Sequence, residues 1–214
     1  MTGRRLLLLR HGRTAWNSIG RAQGHADVEL DEVGQQQAAS VAPYLAELRP
    51  AALWSSDLAR ARQTCAYLER ATGLSAKLDA RLREFDVGAR QGMTAEQFEE
   101  AFPGAFLAWR AGEDMVRVPG SEGVAEVAER MAPALTESLE SLAPGETGIV
   151  VTHGASLKVG LLALLGWPQS QAADLRGVDN CAWVTLVETA PGAGLRLAGY
   201  NQRVGAVRGG VVDP

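Results

Sequence analysis

Two of the three histidines close short apolar runs. Arg10-His11-Gly12 follows Leu6 to Leu9, and His153-Gly154 follows Ile149-Val150-Val151-Thr152. A neutral imidazole at the end of a rigid element can attack phosphorus without a separate base to deprotonate it. Arg10, beside the first, offers a planar fork that matches phosphate oxygens. His153, charged, would add a further cationic contact. Arg60 stands in Ser55-Ser56-Asp57-Leu58-Ala59-Arg60, in the first turn of an expected helix. The helix dipole does not favour a cation there, so an anion in front of the side chain would explain it. A solvated surface arginine is the alternative. A departing alkoxide also needs an acid. Glu84, between Leu82 and Phe85, would gain a raised pKa in a partly apolar pocket and stay protonated. Asp79 and Asp86 are its local rivals. Loops after both histidines, with a helix N-terminus near Ala155, would add N–H donors for an anion. The chemistry these types suit is phosphoryl transfer.

Such residues need elements to hold them. Aliphatic runs closed by glycine loops read as strands of a parallel sheet buried on both faces. In open α/β sheets the chemistry lies just past the strands' carboxyl ends, so the two imidazoles could meet although far apart in sequence. Gly12 to Leu30 is polar and glycine-bearing, too irregular for a helix. Asp31 is the expected N-cap of a helix with Ala38, Val41, Leu45 and Leu48 on one face, closed by Pro50. Ala51 to Ser55 reads as a strand. Ser56 or Asp57 should cap a helix through Arg70, with Gly73 ending it, and a short strand follows near Ala76–Leu78.

From Gly88 to Pro119 the pattern changes. Thr94 and Gln97 form a capping-box match, Pro103-Gly104 interrupts the helix, and Phe98, Phe102, Phe106 and Trp109 gather there. They serve either as packing or as a wall over the ligand. Ser121 is the expected cap of a long helix to about Leu142. A strand at Ile149–Thr152, a helix at Ser156–Leu165 and strands at Cys181–Val187 and Leu195–Ala198, the last two joined at Pro191-Gly192, complete the pattern. The alternation specifies an α/β fold, a three-layer α/β/α sandwich with a mostly parallel central sheet. It forms one domain over 1–205, with a helical, aromatic insertion at about 88–119 and a loose tail at 206–214.

Bulk composition excludes several classes. The chain has 214 residues, 46% hydrophobic and 21% charged, with a net charge of −4. That leaves no basic footprint for nucleic acid. Four leucines after Arg4-Arg5 are too few for a signal peptide, and no run approaches the ~20 apolar residues of a membrane helix, so a cytoplasmic protein is expected. Cys65 and Cys181 show no metal or redox spacing. A catalytic zinc usually takes three protein ligands, and no third accompanies the two histidines. The arginines would also repel a cation. Gly154-Ala155-Ser156-Leu157-Lys158 lacks the second glycine of a serine-hydrolase elbow. No cofactor and no metal are expected. A homodimer paired through Leu195–Ala198 stays open.

Taken together, Leu9-Arg10-His11-Gly12-Arg13-Thr14 with Trp16-Asn17, Gly20-Arg21-Ala22-Gln23-Gly24, Ser55-Ser56-Asp57-Leu58 with Arg60, Leu82-Arg83-Glu84 and Val151-Thr152-His153-Gly154 resemble the histidine phosphatase superfamily, the phosphoglycerate-mutase-like proteins. The resemblance implies that His11 becomes phosphohistidine, that Arg10, Arg60 and His153 form the phosphate pocket, and that Glu84 donates the proton. Asn17, Gln23 and Gly154 match positions that touch the phosphate or its surroundings. Arg13 stands where the family commonly has Glu or Gln. His25 matches no catalytic position and reads as a loop residue. Family mutases carry an Arg-His-Tyr run after the glutamate, and here Phe85-Asp86-Val87 follows, so hydrolysis of a small phosphomonoester is expected over a cofactor-dependent mutase. The third reading is a non-catalytic phospholigand-binding protein. Pro103-Gly104-Ala105 with Leu107-Ala108-Trp109-Arg110 resembles the subgroup acting on glucosyl-3-phosphoglycerate. A phosphorylated sugar acid would need a cation for its carboxylate, and Arg110 and Arg117 are the candidates.

Overall fold

A computed structural model describes residues 3–111, 116–190 and 192–205. Six strands form one sheet: β1 (Arg5–Arg10), β2 (Ala52–Ser55), β3 (Lys77–Leu78), β4 (Thr147–Thr152), β5 (Trp183–Glu188) and β6 (Leu195–Gln202), in the order β3-β2-β4-β1-β5-β6. The first four in that order are parallel, while β5 runs antiparallel to β1 and β6 antiparallel to β5.

Both faces of the sheet are covered, which is why β1 is four consecutive leucines rather than an alternating strand. Leu6 and Leu8 pack with Met131 and Leu135 of α6 (Val124–Glu140) and with Leu157 and Leu161 of α7 (Gly154–Leu165). Leu7 and Leu9 point the other way, to Val41 and Leu45 of α2 (Glu32–Ala46) and to Cys65 and Leu68 of α3 (Ala59–Thr72). The expected three-layer sandwich results. Cys65 and Cys181 are both free and buried.

Register then places the chemistry. Arg10 pairs with Thr152 across β1 and β4, so His11 and His153 are the next residues on adjacent parallel strands, spaced about 4.8 Å apart in any sheet. The loop behind His11 sits directly on α2. A Cβ added to Gly12 would lie 2.6 Å from the Gly34 carbonyl oxygen, and one added to Gly34 would run into the backbone of Arg13. Asp31 caps α2 as expected, accepting from Gly34 N at 2.8 Å.

Several local expectations are corrected. The 12–30 segment contains a short helix, α1 (Ala15–Ser18), closed by a Thr14–Asn17 capping box. α3 starts after Leu58 with no side-chain cap. Asp57 is taken up instead by Arg83 at 2.7 and 2.5 Å, and Ser56 by the site. Gly123 rather than Ser121 precedes α6, with Glu126 accepting from its N–H at 2.5 Å. Ser121 bridges to Val87 and bonds Val118. β5 begins at Trp183 because Cys181 is turned to φ 54°. The inserted segment divides at Pro103 as expected, into α4 (Ala95–Ala101) with its Thr94–Gln97 capping box and α5 (Pro103–Arg110). The expected tail at 206–214, and Pro191 of the expected turn, lie outside the described residues.

Candidate active site

His11 is buried where β1 ends, with its ring centroid 5.2 Å from that of His153 and the planes tilted by 58°. Its Nδ1 stands 2.6 Å from the Gly12 carbonyl oxygen. A carbonyl only accepts, so Nδ1 carries the proton and Nε2 keeps the lone pair. Burial, then the charges of Arg60 and Arg10, push its pKa well below 6.5. The ring is therefore neutral at neutral pH, as a nitrogen nucleophile must be.

His153 is fully buried, with Nε2 2.8 Å from Ser56 Oγ. Burial first, then Arg60, His11 and Arg10, hold its pKa well below 6.5 too. The charged imidazole expected here is thus corrected to a neutral one in the free site. With the Ser56 hydroxyl donating to Nε2, the Nδ1–H remains as a donor.

Arg60 is completely buried, which excludes the surface-arginine alternative. It donates from Nη1 to Ala26 O and from Nη2 to Gly24 O, both at 2.8 Å, tying the 24–26 loop to α3. Burial lowers its pKa to about 10, still a cation at neutral pH. Arg10 donates from Nη1 to Val178 O at 2.6 Å. Neither has an ion-pair partner among the described residues. Buried polar atoms without partners are rare in folded proteins. Here Arg10 Nε, Arg21 Nε, Arg60 Nε, His153 Nδ1 and Gln23 Oε1 are all of that kind. Arg10, Arg21 and Arg60 line one cleft, and three such donors there suit an anion.

Glu84 lines a cleft that also carries the apolar Phe85, Val87 and Trp109, but backbone donors hold its carboxylate. Its carboxylate accepts from Ala155 N at 3.1 Å, Ser156 N at 2.8 Å and Phe85 N at 3.1 Å, so it caps the first turn of α7 from outside. Its backbone carbonyl accepts from Arg130 Nη2 at 2.9 Å and from His25 Nε2 at 2.8 Å, which gives the third histidine a structural post. Of the rivals, Asp79 binds Arg81 and Asp86 accepts from Gly88 N. Neither lines the cleft.

That cleft, about 240 Å³, brings together Arg10, His11, Asn17, Gln23, Arg60 and Glu84. Asn17 also holds Thr14, and Asn180 donates to His11 O at 2.9 Å. Gly154 lies behind Arg10, and a Cβ there would stand 3.3 Å from Arg10 Nε. A larger hollow of about 520 Å³, between α2 and Asp179–Cys181, contains none of the expected catalytic side chains. Arg13 pairs with Asp31 at 2.8 Å, within the α2 cap.

The two arginines expected to meet a substrate carboxylate are not on the cleft wall. Arg110 is exposed at the end of α5. Arg117 pairs with Glu126 at 2.7 Å and donates to Ser121 O at 2.9 Å. The wall instead carries Arg21 and Arg90, neither of which sequence reasoning singled out for it, beside Trp109, which it offered either as packing or as a wall. Arg21 sits two residues before Gln23, the only local signal. The aromatic insertion packs, the first of its two expected readings: Phe98 and Phe106 are buried together with Val118, and Trp109 lines the cleft. Among the described residues no three His, Cys, Asp or Glu side chains are grouped to hold a metal, and no helix is long and apolar enough to cross a membrane.

Comparison with known proteins agrees with this geometry. Residues 6–201 match the histidine phosphatase superfamily (branch 1). The chain is 39% identical over 194 residues to a glucosyl-3-phosphoglycerate phosphatase of Mycobacterium tuberculosis, covering 87% of this chain and 86% of the relative. It is 36% identical over 180 residues to a probable phosphoglycerate mutase of Erwinia tasmaniensis, covering 82% and 80%. The solved mycobacterial glucosyl-3-phosphoglycerate phosphatase in complex with VO3 superposes with a TM-score of 0.84 at 36% identity, covering 92% of this chain and 99% of that one. The protein is a phosphohydrolase, and it belongs to the histidine phosphatase superfamily, branch 1.

Proposed function

We propose that the chain hydrolyses a small phosphomonoester through a phosphohistidine on His11, without a metal, and that its substrate is a phosphorylated sugar acid of the glucosyl-3-phosphoglycerate kind. The observation that carries this reading is the fixed tautomer of His11: Nδ1 is committed to Gly12 O, so Nε2 offers its lone pair beside Arg10 and Arg60.

Nε2 attacks phosphorus in line as the ester P–O bond breaks. Arg10, Arg60 and the Nδ1–H of His153 stabilise the charge spread over the three equatorial oxygens. Glu84 gives a proton to the departing alcohol oxygen, then takes one from the water that attacks the phosphohistidine. The N–P bond breaks and inorganic phosphate leaves. Pockets for drug-sized ligands run to about 300–1,000 Å³. A cleft of about 240 Å³ therefore holds the phosphoryl group and the atoms next to it, while a sugar extends beyond.

The test is phosphate release from 3-phosphoglycerate, glucosyl-3-phosphoglycerate, sugar phosphates and p-nitrophenyl phosphate, with isomerisation of 3-phosphoglycerate assayed in parallel. Release concentrated on the phosphorylated acids supports the reading. Isomerisation without release would make the chain a mutase.

A further inference from the structure

The cleft holds more positive charge than a phosphate needs. Its wall carries four guanidinium groups, Arg10, Arg21, Arg60 and Arg90, against one carboxylate, Glu84. Both buried histidines are neutral. With a phosphate dianion bound, one positive charge is left uncompensated when Glu84 is ionised and two when it holds the proton it donates, and either surplus suits an added carboxylate.

The surplus comes from other elements than the strand ends. Arg10 closes β1 and Arg60 stands in the first turn of α3, whereas Arg21 stands beside Trp16 in the loop after α1 and Arg90 beside the aromatic insertion. Arg90 is built into place. Its guanidinium lies 4.3 Å from the Phe98 ring centroid and 4.7 Å from that of Trp109. It has no hydrogen-bond or ion-pair partner among the described residues, although burial lowers its pKa. A stacked guanidinium keeps its N–H edge free for bidentate contact with a carboxylate. Arg21 lies 5.7 Å from the Trp16 ring, with its Nε buried and unpartnered.

We propose that Arg90, held between Phe98 and Trp109 and assisted by Arg21, binds a carboxylate on the leaving-group side of the phosphomonoester. The assignment of the leaving-group side rests on the hydrolytic reading above. The charge count and the stacking do not. The role expected for Arg110 or Arg117 thus passes to a residue that the fold turns inward.

Binding measured without turnover tests it. His11→Ala removes the nucleophile, and titration calorimetry then compares 3-phosphoglycerate with glycerol 3-phosphate, which differ by a carboxylate in place of a hydroxymethyl group. The expected preference for 3-phosphoglycerate is at least about tenfold. Adding Arg90→Leu should bring the two affinities within about threefold of each other, and Arg90→Lys should restore part of the gap. Comparing two ligands on one protein cancels any general loss of folded material. Equal affinities with Arg90 intact would overturn the proposal, as would a preference that survives Arg90→Leu. A wild-type protein that releases no phosphate, in a chain whose preference depends on Arg90, would sink the hydrolytic reading and leave the subsite standing.

Discussion

Ser56 Oγ lies 2.8 Å from Nε2 of His153, joining the residue after β2 to the residue after β4 in the interior of the protein. The contact fixes the ring of His153, whose Nδ1 is buried without a partner. It also explains why Ser56 does not cap α3.

Ser56→Ala leaves a buried imidazole nitrogen unsatisfied, at a cost of about 1–3 kcal/mol. A urea titration should show that loss, and kcat should fall by about tenfold as the His153 ring loses its orientation. Ser56→Thr keeps the hydroxyl and should recover most of both. A Ser56→Ala protein with wild-type stability and rate would show that the contact orients nothing.

Glu84→Gln keeps the shape but cannot deliver a proton. General acid catalysis contributes about 10²–10⁴-fold, so turnover of alkyl phosphates should fall within that range. Hydrolysis of p-nitrophenyl phosphate, whose leaving group needs little protonation, should fall far less. Equal losses on both substrates would take the acid role from Glu84.

Much of this site is legible in the sequence because β1 and β4 are buried on both faces. Strands of that kind must be unbroken aliphatic runs, so the His-Gly ends after Leu9 and Thr152 stand out. Asp31, as a cap directly ahead of a periodic helix, is equally plain. What escaped depends on partners distant in sequence. Glu84 meets the N–H groups of Ala155 and Ser156 only because the sheet order carries its loop to the start of α7, so the local Leu-x-x-Phe setting gave no sign of the donors that hold its carboxylate. Ser121 and Asp57 have the right types to cap helices, but Val118 and Arg83 claim their side chains first. Arg90 and Arg110 look alike on paper. Only the folding of α4 and α5 into one aromatic cluster turns Arg90 toward the cleft and leaves Arg110 in solvent.

Acid should destabilise the free protein earlier than its carboxylates would dictate. His11 and His153 have folded pKa values well below 6.5, while in the unfolded chain they titrate near about 6.5. As pH falls through that value the unfolded chain takes up protons that the folded one does not, so stability drops, by up to about 1.4 kcal/mol per pH unit for each ring. Glu188, held down to about 2 by Arg4, adds its own loss only at lower pH. Urea unfolding at pH 7.5, 6.5 and 5.5 should show the decline, and His153→Gln should make it shallower. A flat profile over that range would contradict two buried neutral imidazoles.

Arg130 reaches from α6 to the carbonyls of Arg81, Arg83 and Glu84 at 2.8, 2.8 and 2.9 Å, and pairs with Glu122. Arg130→Met strips donors from three carbonyls at once, and hydrogen bonds to a charged group are worth about 1.5–3 kcal/mol each. Stability should fall by at least about 2 kcal/mol on that scale. In the protein that still folds, kcat for alkyl phosphates should drop more than kcat for p-nitrophenyl phosphate, because the residue positions the acid rather than the nucleophile. Lysine cannot span three acceptors and should rescue little.

The Arg10–Thr152 register has a meaning for the history of each molecule. A slip of one residue between neighbouring strands turns every side chain to the opposite face. No mispaired form could keep both rings at the strand ends, so catalysis marks correct assembly as well as chemistry. The pairing also joins stretches about 140 residues apart in sequence, and such distant closures are slow to form. In a refolding experiment, circular dichroism should recover its helical signal first, with phosphatase turnover returning later as the sign that the centre of the sheet has closed.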